Sequence, residues 1–128
     1  MSNEVRDLAK CRGFDVGIEG DGALALFGTF EYEGGGCQAI GSWFIDAAFL
    51  MRFLAVFGCE NKLGDVNGRS CWVTHTDYRV VKVEPLHKAD GRAFDVEAWE
   101  RWVEVRFSDR LTIHECLTGE RPPHLRRP

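Results

Sequence analysis

The segment that most restricts the fold is Asp46-Ala47-Ala48-Phe49-Leu50-Met51-Arg52-Phe53-Leu54-Ala55-Val56-Phe57-Gly58. Between its ends Arg52 is the sole charge. Asp46 can cap a helix, because its carboxylate accepts from a first-turn amide that lacks a helical partner. Gly58 can end it, because glycine reaches positive φ without a Cβ clash. A helix apolar on nearly every side requires cover on nearly every side. The spacing therefore predicts a central core helix with the rest of the domain wrapped around it. The segment is shorter than the roughly 20 apolar residues that cross a bilayer, so no membrane partner is expected.

Before this helix the pattern is that of strands. Residues 3–11 place Val5, Leu8 and Cys11 at helical spacing and predict a short helical turn or lead-in. From Phe14 the period becomes two: Phe14, Val16 and Ile18 alternate with Asp15, Gly17 and Glu19. Gly20-Asp21-Gly22 is a hairpin turn signal. Over Ala23 to Glu33, one face carries Leu24, Leu26, Phe30 and Tyr32, and the other Thr29, Glu31 and Glu33. Gly28 in the middle marks a bulge or a close backbone approach. Gly34-Gly35-Gly36 is the next turn, and Cys37 to Ile45 reads as a third strand. Two short turns leave no room for a parallel crossover, so the three strands form an antiparallel meander.

After Gly58 a loop with one helical turn is expected, pinned by Leu63 and Val66, and Asn67-Gly68 turns the chain. Arg69 to His75 and Arg79 to Pro85 form a second hairpin around Thr76-Asp77-Tyr78. Pro85 ends its strand, because proline cannot donate to a ladder. Asp90-Gly91 is a further turn. Asp95 caps an amphipathic helix in which Val96, Trp99, Val103 and Phe107 share a side. Leu111 to Cys116 could add a last strand. The fold class is α+β: a meander and a second hairpin packed on a central apolar helix, with a C-terminal amphipathic helix. One domain over residues 1–120 is expected, followed by a proline- and arginine-rich tail over 121–128.

The formal net charge of −4 argues against a basic surface for nucleic acid. The polar start, Met1 to Asp7, lacks the apolar stretch of a signal peptide, which predicts a cytoplasmic protein. Five cysteines, an odd number at wide spacing, read as free and mostly buried thiols.

Several groups could carry chemistry. Gly35, Gly36 and Gln38 could meet a small anionic ligand such as a nucleotide, with backbone amides and a side-chain amide, helped by Arg69 or Arg79. The lysine and hydroxyl of a phosphate-binding loop are missing. Cys37, Cys71 or Cys116 would need His75 or His114 beside it to become a nucleophile. Cys71 with His75, and His114 with Cys116, are ligand types that zinc accepts, but their spacing matches no zinc motif, so no metal or other cofactor is expected. For protein recognition the candidates are Tyr78, Arg101, Trp102 and Arg106, with Glu31 and Glu33 on the first hairpin, since aromatic and arginine side chains anchor interfaces. Trp99 lies on the apolar stripe and reads as core.

Gly35-Gly36-Cys37-Gln38-Ala39-Ile40-Gly41, Phe49 to Gly58, Leu63-Gly64-Asp65-Val66-Asn67-Gly68 and Cys71-Trp72-Val73 together resemble a group of small uncharacterised proteins encoded by phages and prophages. The resemblance spans roughly residues 20–85. Cys59 departs from it by replacing an aliphatic residue, and the part after residue 90 is an addition. Its motifs are turns and core positions, so it implies no catalytic residue. It implies a phage-type accessory protein in a bacterial cytoplasm. The expected function is non-enzymatic protein binding, such as inhibition of a host defence system in the manner of an anti-CRISPR protein. The partner would be a host or phage protein, with a second copy of the chain as another candidate. A nucleotide-type ligand binder is the rival reading, and a cysteine- or zinc-dependent enzyme a third.

Overall fold

A computed structural model of the chain describes residues 3–20, 22, 24–40, 43–44, 47–58, 61–99 and 117, with backbone alone at 43–44. The fold is α+β. Strands β1 (Val5–Ile18), β2 (Leu24–Tyr32), β3 (Cys37–Ala39), β4 (Trp43–Phe44), β5 (Ser70–His75), β6 (Val80–Pro85) and β7 (Phe94–Asp95) form one sheet. Its order is β3-β2-β1-β5-β6-β7, with β4 also on β2, and every pairing is antiparallel. The expected meander is β1-β2-β3. The second hairpin, β5-β6, does not stand apart from it. It joins β1 directly, from Val5 opposite His75 to Lys10 opposite Ser70.

That pairing corrects the reading of residues 3–11 as helical. Strand alternation puts Arg6, Leu8, Lys10 and Arg12 on one face and Asp7, Ala9 and Cys11 on the other. The inner set is small or polar, so it lacks the large apolar residues that make alternation visible in a sequence. The ladder to β5 decides the conformation.

Helix α1 (Ala47–Ala55) packs Phe49 and Phe53 into the core, and Val56 follows them. Phe53 stacks on Phe14 of β1 with ring centroids 5.2 Å apart. Cover on nearly every side is not what the structure gives. Met51 is 70% exposed, and Ala47, Ala48 and Arg52 are also exposed, so the helix lies against one face of the sheet. Arg52, its single charge, sits 5.5 Å from the Trp99 ring, an arrangement that attracts a cation to an aromatic face. Gly58 ends the helical segment at φ +110°. The Asp46 cap lies outside the described residues.

Gly28 is a close approach and not a bulge: a Cβ there would lie 2.6 Å from the Phe14 ring. The bulge is across the hairpin on β1, between Arg12 and Asp15, where Gly13 has φ +64°. Asn67 completes that corner. Its side chain accepts from the Phe14 amide at 2.6 Å and donates to the Phe14 carbonyl at 3.1 Å. The expected third strand is interrupted, with β3 and β4 pairing separately with β2. Helix α2 (Leu63–Val66) buries Val66 and half-buries Leu63, as expected. Asp95 caps a helix described over 96–99, its carboxylate accepting from the Ala98 amide at 2.9 Å. Val96 and Trp99 are buried in the same core. The expected strand over Leu111 to Cys116 and the tail lie outside the described residues.

Candidate functional site

Two chain turns and the start of a strand meet at one end of the sheet. The antiparallel register puts the start of β1, the β2–β3 turn and the β5–β6 turn there together, because Val5 faces His75 and Ala9 faces Tyr32. On the core side of this end, side chains from four strands converge. His75 Nε2 meets the Asp7 carboxylate at 2.7 Å, and Nδ1 meets the Thr76 carbonyl at 3.2 Å. Both partners are acceptors, so a proton on either ring nitrogen has a protein acceptor facing it. Its face stacks on Tyr32 at 4.0 Å with the planes 6° apart. The Tyr32 hydroxyl donates to the Gln38 side-chain oxygen at 2.7 Å, and the Gln38 amide nitrogen donates to the Thr76 carbonyl at 3.3 Å.

This set closes on Thr76, which is buried. Its hydroxyl oxygen accepts from the amides of Tyr78 and Arg79, each at 3.2 Å, and its own amide donates to the Arg79 carbonyl at 2.9 Å. A threonine that folds its hydroxyl back onto the next amides stabilises a tight turn. Arg79 reaches across to Glu97 at 3.2 Å, tying the turn to the helix at 96–99. At the tip of this braced turn Tyr78 is 89% exposed.

The opposite face of the sheet is polar. Arg6 lies 4.3 Å over the Trp72 ring and 3.3 Å from Glu84. Arg12 pairs with Glu31. Leu8, Lys10, Arg12, Glu31, Glu33 and Ser70 line an open groove of about 360 Å³ there. Ion pairs this exposed contribute at most about 1 kcal/mol each; they order the surface more than they stabilise the fold.

Tyr78 stands at the braced turn, and Glu31 and Glu33 lie on the polar face of the same end. Arg101, Trp102 and Arg106 lie outside the described residues. Gly35 and Gly36 are exposed with φ of +108° and +85°, the left-handed conformation of a tight turn. Gln38 points inward and has both ends of its amide engaged. His75 meets Asp7, not a cysteine. Cys71 instead faces Cys11, and Cys37 is exposed. Among the described residues no three metal-ligating side chains cluster, and no helix is long and apolar enough to cross a membrane. Asp7, Tyr32 and Thr76 were not legible as partners of His75. The alternation around Asp7 was the available signal, and it was masked by the helical spacing of Val5, Leu8 and Cys11. Comparison with protein-family models, curated proteins and solved structures returns no match.

Burial, and after it the Asp7 carboxylate, push the Tyr32 hydroxyl well above its ordinary pKa of about 10. The sign of the consequence is fixed. From about pH 10 the unfolded chain releases this proton while the folded chain keeps it, so stability falls as pH rises. Of the two tyrosines, a Tyr78→Phe chain leaves only Tyr32. Its tyrosinate absorbance is expected to rise well above pH 10 and together with unfolding, and Tyr32→Phe is expected to make the alkaline slope of stability shallower, the buried Cys11 thiol supplying a share of its own. A folded protein whose Tyr32 titrates at about 10 would contradict the placement.

Proposed function

We propose that this chain is a small non-enzymatic accessory protein of the phage type that acts by binding another protein, with the β5–β6 turn as its anchor. The observation that carries the reading is Tyr78: fully presented to solvent, on a turn held from beneath by Thr76, Gln38 and His75 and from the side by Arg79 and Glu97. A rigid aromatic side chain costs little conformational entropy on binding, and interface energy concentrates in such residues. The chemistry of the cluster beneath supports the same reading. A general base needs a ring nitrogen free to take a proton, and both nitrogens of His75 are directed at protein acceptors. The cluster braces a surface. Glu33 and the Arg12-paired Glu31 add a flank of mixed charge on the polar face. Inhibition of a host defence component in a bacterial cytoplasm is the specific form of this function that the phage resemblance suggests. Gln38, engaged at both ends, offers a nucleotide-type ligand less than its sequence position implied.

The test uses immobilised chain and lysate of the organism that encodes it, with Tyr78→Ala as matched bait. Truncating an interface anchor costs about 2 kcal/mol or more, roughly a 30-fold loss of affinity. A protein retained by the native bait should therefore be lost from the Tyr78→Ala bait, whose fold is unchanged by circular dichroism. Identical retention on both baits, or none on either, would count against the proposal.

A further inference from the structure

Cys11 and Cys71 form a buried pair that the proposed binding role does not use. They lie on neighbouring strands: Ala9 is the direct partner of Cys71, and Cys11 is one step along the same face. Their side chains lean together until the sulfurs are 4.0 Å apart, and both residues are fully buried. Among the described residues neither sulfur has another hydrogen-bond partner. A disulfide needs about 2.05 Å between sulfurs and usually about 4.4–6.8 Å between Cα atoms, whereas diagonal strand neighbours lie about 7–8 Å apart, so closure draws the two strands slightly together as well as the sulfurs.

We infer that Cys11 and Cys71 are a latent disulfide site, closed by a small-molecule disulfide of the glutathione type while the chain folds. The folded state itself is a poor substrate. The thiol hydrogen bond from Cys71, followed by burial, pushes the Cys11 pKa up and keeps its proton on, and the thiolate is the attacking form. The reaction therefore belongs to the open chain. One cysteine thiolate attacks the small disulfide, forms a mixed disulfide and releases one small thiol. The second cysteine thiolate attacks the protein sulfur of that mixed disulfide and releases the other. Two protein S–H groups become one S–S bond, and the small disulfide is reduced to two thiols. The link would span 60 positions of sequence and staple β1 to β5, the seam that joins the meander to the second hairpin. Closing so long a loop restricts the unfolded chain strongly. The inference is independent of the role given to Tyr78; in a reducing cytoplasm the pair stays as thiols, and the bond forms where the oxidised small disulfide prevails.

The experiment uses the full chain carrying Cys37→Ser, Cys59→Ser and Cys116→Ser. It is unfolded in urea, refolded in mixed oxidised and reduced glutathione, quenched by alkylation and digested. Expected is a Cys11–Cys71 linked peptide, lighter by two hydrogens and abolished by reductant. The linked chain should keep the native near-ultraviolet spectrum, and its urea midpoint should rise by about 1 M or more. A refolded native chain in which both thiols alkylate on later denaturation would overturn the inference. So would a linked chain that regains the native spectrum only after reduction, since the bond would then be foreign to this fold. Cys11→Ala and Cys71→Val controls should show no linked peptide.

Discussion

Gly91→Ala is expected to destabilise the protein by about 3 kcal/mol, at the upper end of what overpacking one methyl costs. The reason is space, because Gly91 is in extended backbone that any residue adopts. A Cβ at this position would lie 2.2 Å from the Val56 carbonyl oxygen and 2.6 Å from that of Ala55. Both obstacles are backbone, so no side-chain rotation relieves them. The closeness serves the end of α1. The last carbonyls of a helix have no helical partner, and here the Arg92 amide donates to the Ala55 carbonyl at 2.9 Å. An alanine at 91 forces this strap away and leaves that carbonyl only the longer bond from the Gly58 amide, at 3.3 Å. Urea unfolding followed by tryptophan fluorescence measures the loss. Gly64→Ala is the control, with nothing within 4 Å of its would-be Cβ and a place inside α2. It is expected to be neutral or stabilising by up to about 1 kcal/mol, because alanine favours helix.

Phe53→Ala is expected to cost about 3–5 kcal/mol, the usual range for emptying a large aromatic site. Phe53 is fully buried, stacked on Phe14, and edge-on to Phe57 at 5.6 Å. Gly28 packs closely against the Phe14 ring, so the void would open between helix and sheet. A typical domain has only about 5–15 kcal/mol in total, so this single change removes a large share. Met51→Ala, two residues away on the exposed side, is expected to stay within about 0.5 kcal/mol. Equal losses at 51 and 53 would mean that the helix is covered on both sides, as its composition alone suggested.

That contrast shows where the sequence was sufficient. Turns with their own chemistry were readable: Gly22, Gly58 and Gly68 have positive φ, and Asp95 and Pro85 act as cap and stop. So were strands with large apolar residues on one face, such as β2. What failed were properties that depend on a distant partner. The first half of β1 is a strand because β5 lies beside it. Gly91 is required by helix carbonyls 35 and 36 positions earlier in the chain, at Val56 and Ala55, and the turn signal at Asp90-Gly91 gave no hint of that. Gln38 was noticed for its unusual setting among small residues, but its partners, Tyr32 and the Thr76 carbonyl, come from the sheet register. Tyr78 was readable as a recognition candidate, and the brace beneath it was not.

That brace is what would make Tyr78 an anchor, and backbone ¹⁵N relaxation of Asp77, Tyr78 and Arg79 measures it directly. In the native chain their order parameters should match those of the strands, about 0.85, and in Gln38→Ala or His75→Ala they should fall toward the flexible range below about 0.6 while the rest of the sheet is unchanged. A turn already flexible in the native chain, or one equally ordered in both variants, would contradict it.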